Sequence, residues 1–72
     1  MQIYELTGMG EMLANNIYAP QKAEWRVLFY LKHRQRATQE QILNYVPNAT
    51  WHTLNKLRRK KLIQLVGKMA EV

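Results

Sequence analysis

Five cations fall within six residues near the C-terminal end of the chain: Lys56, Arg58, Arg59, Lys60 and Lys61. Ammonium and guanidinium groups at this density suit the neutralisation of closely spaced phosphates, the guanidinium through a two-pronged hydrogen bond and the ammonium as a point charge. Just before them stand Trp51, His52 and Asn55, which add an aromatic face, a ring nitrogen and a side-chain amide. A plainer role competes for part of the run, because the dipole of a helix favours cations at its C-terminal end by about 0.3–1 kcal/mol each. Five exceed that need.

Other chemistries find little support. The chain has no cysteine, its five acidic residues are all glutamate, and His33 and His52 are its only histidines. Disulfides are therefore excluded, and a metal site would lack ligands. Scattered glutamates offer no carboxylate pair, and neither a nucleophile–His constellation nor a phosphate-cradling glycine loop is present. The sequence thus predicts no catalysis, no cofactor, no metal and no small-molecule ligand. It contains no apolar run approaching the about 20 residues of a membrane span, and the stretch MQIYELTGMG has neither a basic flank nor an apolar signal core. A cytoplasmic protein without membrane contact is expected.

With 72 residues the chain holds one core, which at this size supplies only about 3–5 kcal/mol, so self-association is the expected supplement. The net charge of +6 is unevenly placed: residues 1–20 carry Glu5 and Glu11 and no Lys or Arg, whereas all 11 Lys and Arg follow. A pI near 10.0 with the charge gathered in one region matches nucleic-acid binding, a footprint shared with ribosomal and anionic-membrane proteins.

The elements that must position these groups follow from periodicity and capping residues. Residues 2–6, QIYEL, alternate like a short strand. Thr7 caps a helix through GMGEMLANNIY with Met9, Leu13 and Ile17 at steps of four, although Gly8 and Gly10 each weaken it by about 1 kcal/mol. This Met-containing stripe suits packing. Pro20 fits the first turn of a helix over 20–34, in which Ala23, Val27, Leu28 and Leu31 form one face and Trp25, Phe29 and Lys32 a second. The second face needs cover from the N-terminal segment or from another copy of the chain, which makes Met9, Leu13, Ile17, Trp25 and Phe29 the candidate dimer residues. After the basic link His33–Arg36, Thr38 and Gln41 form a capping box for a helix that buries Ile42, Leu43 and Val46 and stops at Pro47. Asn48 is the expected N-cap of a helix over 49–60 with Thr50, Leu54 and Leu57 as its buried stripe. His52 and Arg59 then point away from the stripe, with Asn55 and Lys56 beside them and Trp51 and Arg58 at one shoulder. Finally, LIQLVGKMAEV suits a hairpin turning at Gly67-Lys68, and pairing with QIYEL would bring the chain ends into one small sheet. The expected class is mainly α with a small β hairpin, α+β.

Trp25-Arg26-Val27-Leu28-Phe29-Tyr30-Leu31, Ala37-Thr38-Gln39-Glu40-Gln41-Ile42, and the sequence from Asn48 through Leu54, Leu57 and Lys61-Leu62-Ile63 together resemble the winged helix-turn-helix family of prokaryotic and archaeal DNA-binding regulators. The likeness covers residues 20–72 and leaves 1–19 as an N-terminal strand and helix for packing or dimerisation. Tyr4–Gly10 is similar to the strand-to-helix segment that often follows a wing in that family, though here it precedes the first core helix. The resemblance implies a homodimeric regulator that binds double-stranded DNA with the helix at 49–60 in the major groove. His52 and Asn55 would read bases, Asn55 by a bidentate pair with adenine, and Arg59 would meet guanine where it reaches one. Lys56, Arg58 and Lys60 would meet phosphates, as would Thr38 and Gln39 beside Arg36, while Lys68 at the wing tip would touch backbone or minor groove. Trp51 would stack on sugar or partner, or close the edge of the core, and His52 also fits a solvated surface position. Two other readings follow from the same residues: a winged-helix assembly module anchored by Trp25–Phe29 or Trp51, and an RNA binder.

Overall fold

The computed structural model describes residues 2–18 and 20–68, with the side chains of Gly67 and Lys68 left aside. In chain order the elements are β1 (Gln2–Leu6), α1 (Gly8–Ala14), α2 (Ala23–Arg34), β2 (Arg36–Thr38), α3 (Gln39–Tyr45), α4 (Trp51–Arg59) and β3 (Ile63–Lys68). The fold is α+β. Its antiparallel sheet has the order β2-β1-β3, and α2 touches α1, α3, α4 and the strands β1 and β2.

The middle strand is the first one in the chain. Tyr4 pairs with Ala37 on one side and Leu65 on the other, and the register on the β3 side slips between Ile3 and Tyr4. Alternation sends Tyr4 and Leu6 into the core, where they join Ala14, Ile17, Val27, Leu28, Leu31, Ile42, Val46, Leu54, Leu57 and Ile63. Residues 2–18 therefore contribute a strand and several side chains to the same core as the rest. The chain ends meet in one sheet as expected, but the hairpin is not formed at the expected place. Gly67 and Lys68 lie within β3, opposite Ile3 and Gln2, because β1 offers β3 a complete partner and pairing continues through the glycine. Residues 69–72, the expected second arm, lie outside the described residues.

Thr7 caps α1, its hydroxyl accepting from the Gly10 amide at 3.0 Å. The helix ends at Ala14, short of the expected Tyr18, and it turns Gly10 and Ala14 inward while Met9 is 62% exposed. Close approach explains the change of face. A Cβ on Gly10 would run into the Leu62 carbonyl, whereas one on Gly8 would meet nothing, so α1 packs by its glycine side and its methionines turn out. Ile17, past the end of the helix, is buried.

In α2 the start falls at Ala23 with Lys22 as cap, so Pro20 precedes the helix instead of opening it. Val27, Leu28, Tyr30 and Leu31 are buried, and Trp25 and Phe29 pack half-buried against the core margin. The capping box of α3 is present as expected: the Gln41 amide donates to Thr38 Oγ1 at 3.1 Å and the Thr38 amide to Gln41 Oε1 at 3.0 Å. The helix ends at Tyr45 with Val46 as its C-cap, ahead of Pro47. Asn48 does not cap α4. Pro47 and Asn48 form a turn closed by the Ala49 amide on the Val46 carbonyl at 2.9 Å, which moves the cap to Thr50. Thr50 is accordingly exposed, and Ala49 fills the buried place expected for it. Among the described residues no helix is long and apolar enough to cross a membrane.

Candidate nucleic-acid interface

Leu54 and Leu57, each 1% exposed, fix the inward side of α4. Trp51, His52, Arg58 and Arg59 are exposed on the same helix, and Asn55 is half-buried. The Trp51 and His52 rings stack with centroids 3.9 Å apart and an interplanar angle of 27°, leaving Trp51 54% exposed. Asn55, Arg58 and Arg59 border one shallow depression of about 360 Å³. An amide and two guanidinium groups thus share one wall, a donor-rich arrangement matched to base-edge acceptors and phosphate oxygens.

The basic run divides in two. Glu24 of α2 lies beside α4, with Lys56 Nζ 2.9 Å from Oε1 and Lys60 Nζ 3.5 Å from Oε2. The Lys56 hydrogen bond is the chief cause that holds the Glu24 carboxyl below its ordinary value; partial burial opposes it, and the nearby charges of Lys60 and Lys56 reinforce it. Lys56 and Lys60, four residues apart and so on one side of the helix, are turned toward α2. Arg58, Arg59 and Lys61 have no carboxylate within ion-pair distance among the described residues.

The residues expected around the start of α3 lie apart from the outward face of α4. Arg36 Nε lies 3.3 Å from Glu5 Oε2, while the Gln64 amide donates to Glu5 Oε1 at 2.9 Å, so Glu5 ties both outer strands to β1. Thr38 is 6% exposed, its amide donating to Gln41 Oε1 and its hydroxyl oxygen accepting from the Gln41 amide in the capping box. Gln39 borders a groove with Gln2, Glu40, Leu43 and Asn44, none of them from α4. Lys68 has its backbone in β3 and its side chain outside the described set. His33 rests edge-on against Phe29 at 4.6 Å, on a different helix from His52. Of the expected dimer residues, Met9 is exposed, Leu13, Trp25 and Phe29 are half-buried, and Ile17 is enclosed by its own chain.

Sequence reasoning misses Glu24, and it names Lys61 only as part of the basic run. Glu24 carries no local signal, since only the crossing of α2 and α4 brings it to the lysines. Lys61 had one: it follows a helix at the point where glycine is the common residue, and its φ is 61°. No family model, no curated protein and no solved structure matches the chain.

Proposed function

We propose that this chain is a double-stranded DNA-binding protein of the winged helix-turn-helix type, a homodimeric and sequence-specific transcriptional regulator that inserts α4 into the major groove. The observation that carries the reading is the division of α4, with Leu54 and Leu57 inward and Trp51, His52, Arg58 and Arg59 outward around Asn55. A major groove about 12 Å wide admits one helix, and polar side chains on its outer side meet base edges there. Asn55 is the reader suited to adenine, and Arg59 the one suited to guanine. Arg58 serves the phosphates, and Trp51 with His52 presents a flat face to the sugar-phosphate wall.

The order α2, β2, α3, α4, β3 supports the winged-helix assignment, with β1 filling the middle of the sheet in place of a strand returning from the wing. Self-association is supported by the exposed Met9 and Met12 on α1 and by the small core of a chain of this length. Selection from random duplexes with the purified protein tests all of this together. Enrichment of a two-fold repeated half-site is the expected result. Absence of duplex binding in a gel-shift series even at low ionic strength would overturn the reading and favour an assembly module.

A further inference from the structure

The left-handed backbone at Lys61 points to a phosphate contact that the outward face of α4 does not include. The end of α4 closes by two backbone bonds: the Lys61 amide donates to the Arg58 carbonyl at 2.9 Å and the Leu62 amide to the Leu57 carbonyl at 3.0 Å. This closure requires a positive φ at the residue between them, which glycine adopts freely and a residue with a Cβ adopts under strain. Lys61 stands there with φ 61°. Its carbonyl accepts from the Thr7 hydroxyl at 2.6 Å, but a glycine would present the same carbonyl. Its side chain is exposed and has no carboxylate partner among the described residues. What lysine supplies and glycine lacks is the ammonium group.

Lys61 borders a groove of about 530 Å³ together with Thr7, Met9, Arg58, Ile63, Gln64 and Leu65. Arg58 borders the same groove, and it is likewise free of ion pairs among the described residues. From Asn55 to Arg59, the last residue of α4, the helix rises about 6 Å at about 1.5 Å per residue, and Lys61 stands two residues beyond, in the turn that leaves the helix. Resting on the duplex-binding reading above, we propose that Lys61 and Arg58 together hold one backbone phosphate of the bound duplex, the guanidinium by its fork and the ammonium by its charge. Strain at Lys61 is then retained for binding.

The test is Lys61→Gly in the full chain, with Lys61→Arg beside it. Lys61→Gly should melt higher than the parent, by about 4 °C or more, because the left-handed strain is relieved. It should also bind duplex more weakly and with a salt slope shallower by about 0.9, so that the parent's advantage shrinks about 3.5-fold between about 50 and 200 mM salt. Sequence preference should not change, since a phosphate carries none. Lys61→Arg should keep the parent's slope. A Lys61→Gly protein that melts higher yet binds with the parent's affinity and slope overturns the proposal and leaves the duplex reading standing. If the parent itself binds no duplex at low salt, both fall together.

Discussion

Glu24 restrains two of the five cations at the end of α4, and its replacement has an effect that can be worked out. Glu24→Gln keeps the size and one acceptor oxygen but removes the charge that draws Lys56 and Lys60 toward α2. Both lysine side chains are more than half exposed, at 58% and 51%, so each pair is worth about 0.2–1 kcal/mol and the fold persists without them. Two released cations able to displace counterions from phosphates should steepen the dependence of log affinity on log salt by up to about 1.8. Across a fourfold change in salt that corresponds to about a 12-fold larger loss of affinity than in the parent. The measurement is a fluorescence-anisotropy titration of one duplex by each protein over about 50–200 mM salt. Lys56→Gln and Lys60→Gln should each reduce the parent's slope less than Arg59→Gln, because their charges are already partly answered by Glu24. An unchanged slope in Glu24→Gln would refute the claim that this carboxylate keeps the two lysines from the phosphates.

The same carboxyl makes a prediction in acid. Its folded value lies below its ordinary 4.5, so the stabilisation it provides is complete above that value and is lost as pH falls through the lower folded one. The parent should be the more stable of the parent and Glu24→Gln at neutral pH, and the gap should close in urea melts taken progressively below pH 4.5. Gly10→Ala should destabilise by about 1–3 kcal/mol despite its better helix propensity, since its Cβ meets the Leu62 carbonyl, a backbone atom with little room to yield. Gly8→Ala, with open space around it, should be neutral or stabilising by up to about 1 kcal/mol, and thermal melts of the two variants would expose an error in this placement if they moved together. Thr38→Ala should cost about 1 kcal/mol through loss of the cap, with low-temperature duplex affinity unchanged; a selective loss of affinity would return Thr38 to the interface.

Local rules carried far in this sequence wherever a residue's neighbours in the chain decide its fate. Thr7 and Thr38 cap their helices, Pro47 ends one, and the period of Leu54 and Leu57 marks the side of α4 that faces the core. The misses share a cause in tertiary contact. Apolar periodicity favours Met9 over Gly10 as the inward residue of α1 because it sees a methionine and not the absence of a side chain, whereas the nearness of Leu62 selects the glycine. Locally Gly67-Lys68 suits a turn, and the pairing of β3 with β1 overrides that preference. At the candidate interface, the exposure of His52 and Arg59 followed from helix geometry alone. The pairing of Lys56 and Lys60 with Glu24 did not, because it depends on where two helices cross, 32 residues apart in the case of Lys56.

The placement of β1 gives the N-terminal segment a direct hold on the end of α4. The Thr7 amide donates to the Leu62 carbonyl at 3.0 Å and the Thr7 hydroxyl to the Lys61 carbonyl at 2.6 Å, and Gly10 brings α1 against that same Leu62 carbonyl. On the strand itself, Glu5 gathers Arg36 from β2 and Gln64 from β3. The turn that carries Lys61 is therefore held by its own helix closure and by a segment from the other end of the sequence. A side chain proposed to meet a phosphate would gain from such support, because fewer backbone states must be frozen when a ligand arrives. The strained φ of Lys61 is sustained in the same way, since the Thr7 contacts and the Leu57–Leu62 bond over-determine the turn. An N-terminal segment without a single Lys or Arg thus acts on the basic surface indirectly, by fixing where its last cation stands.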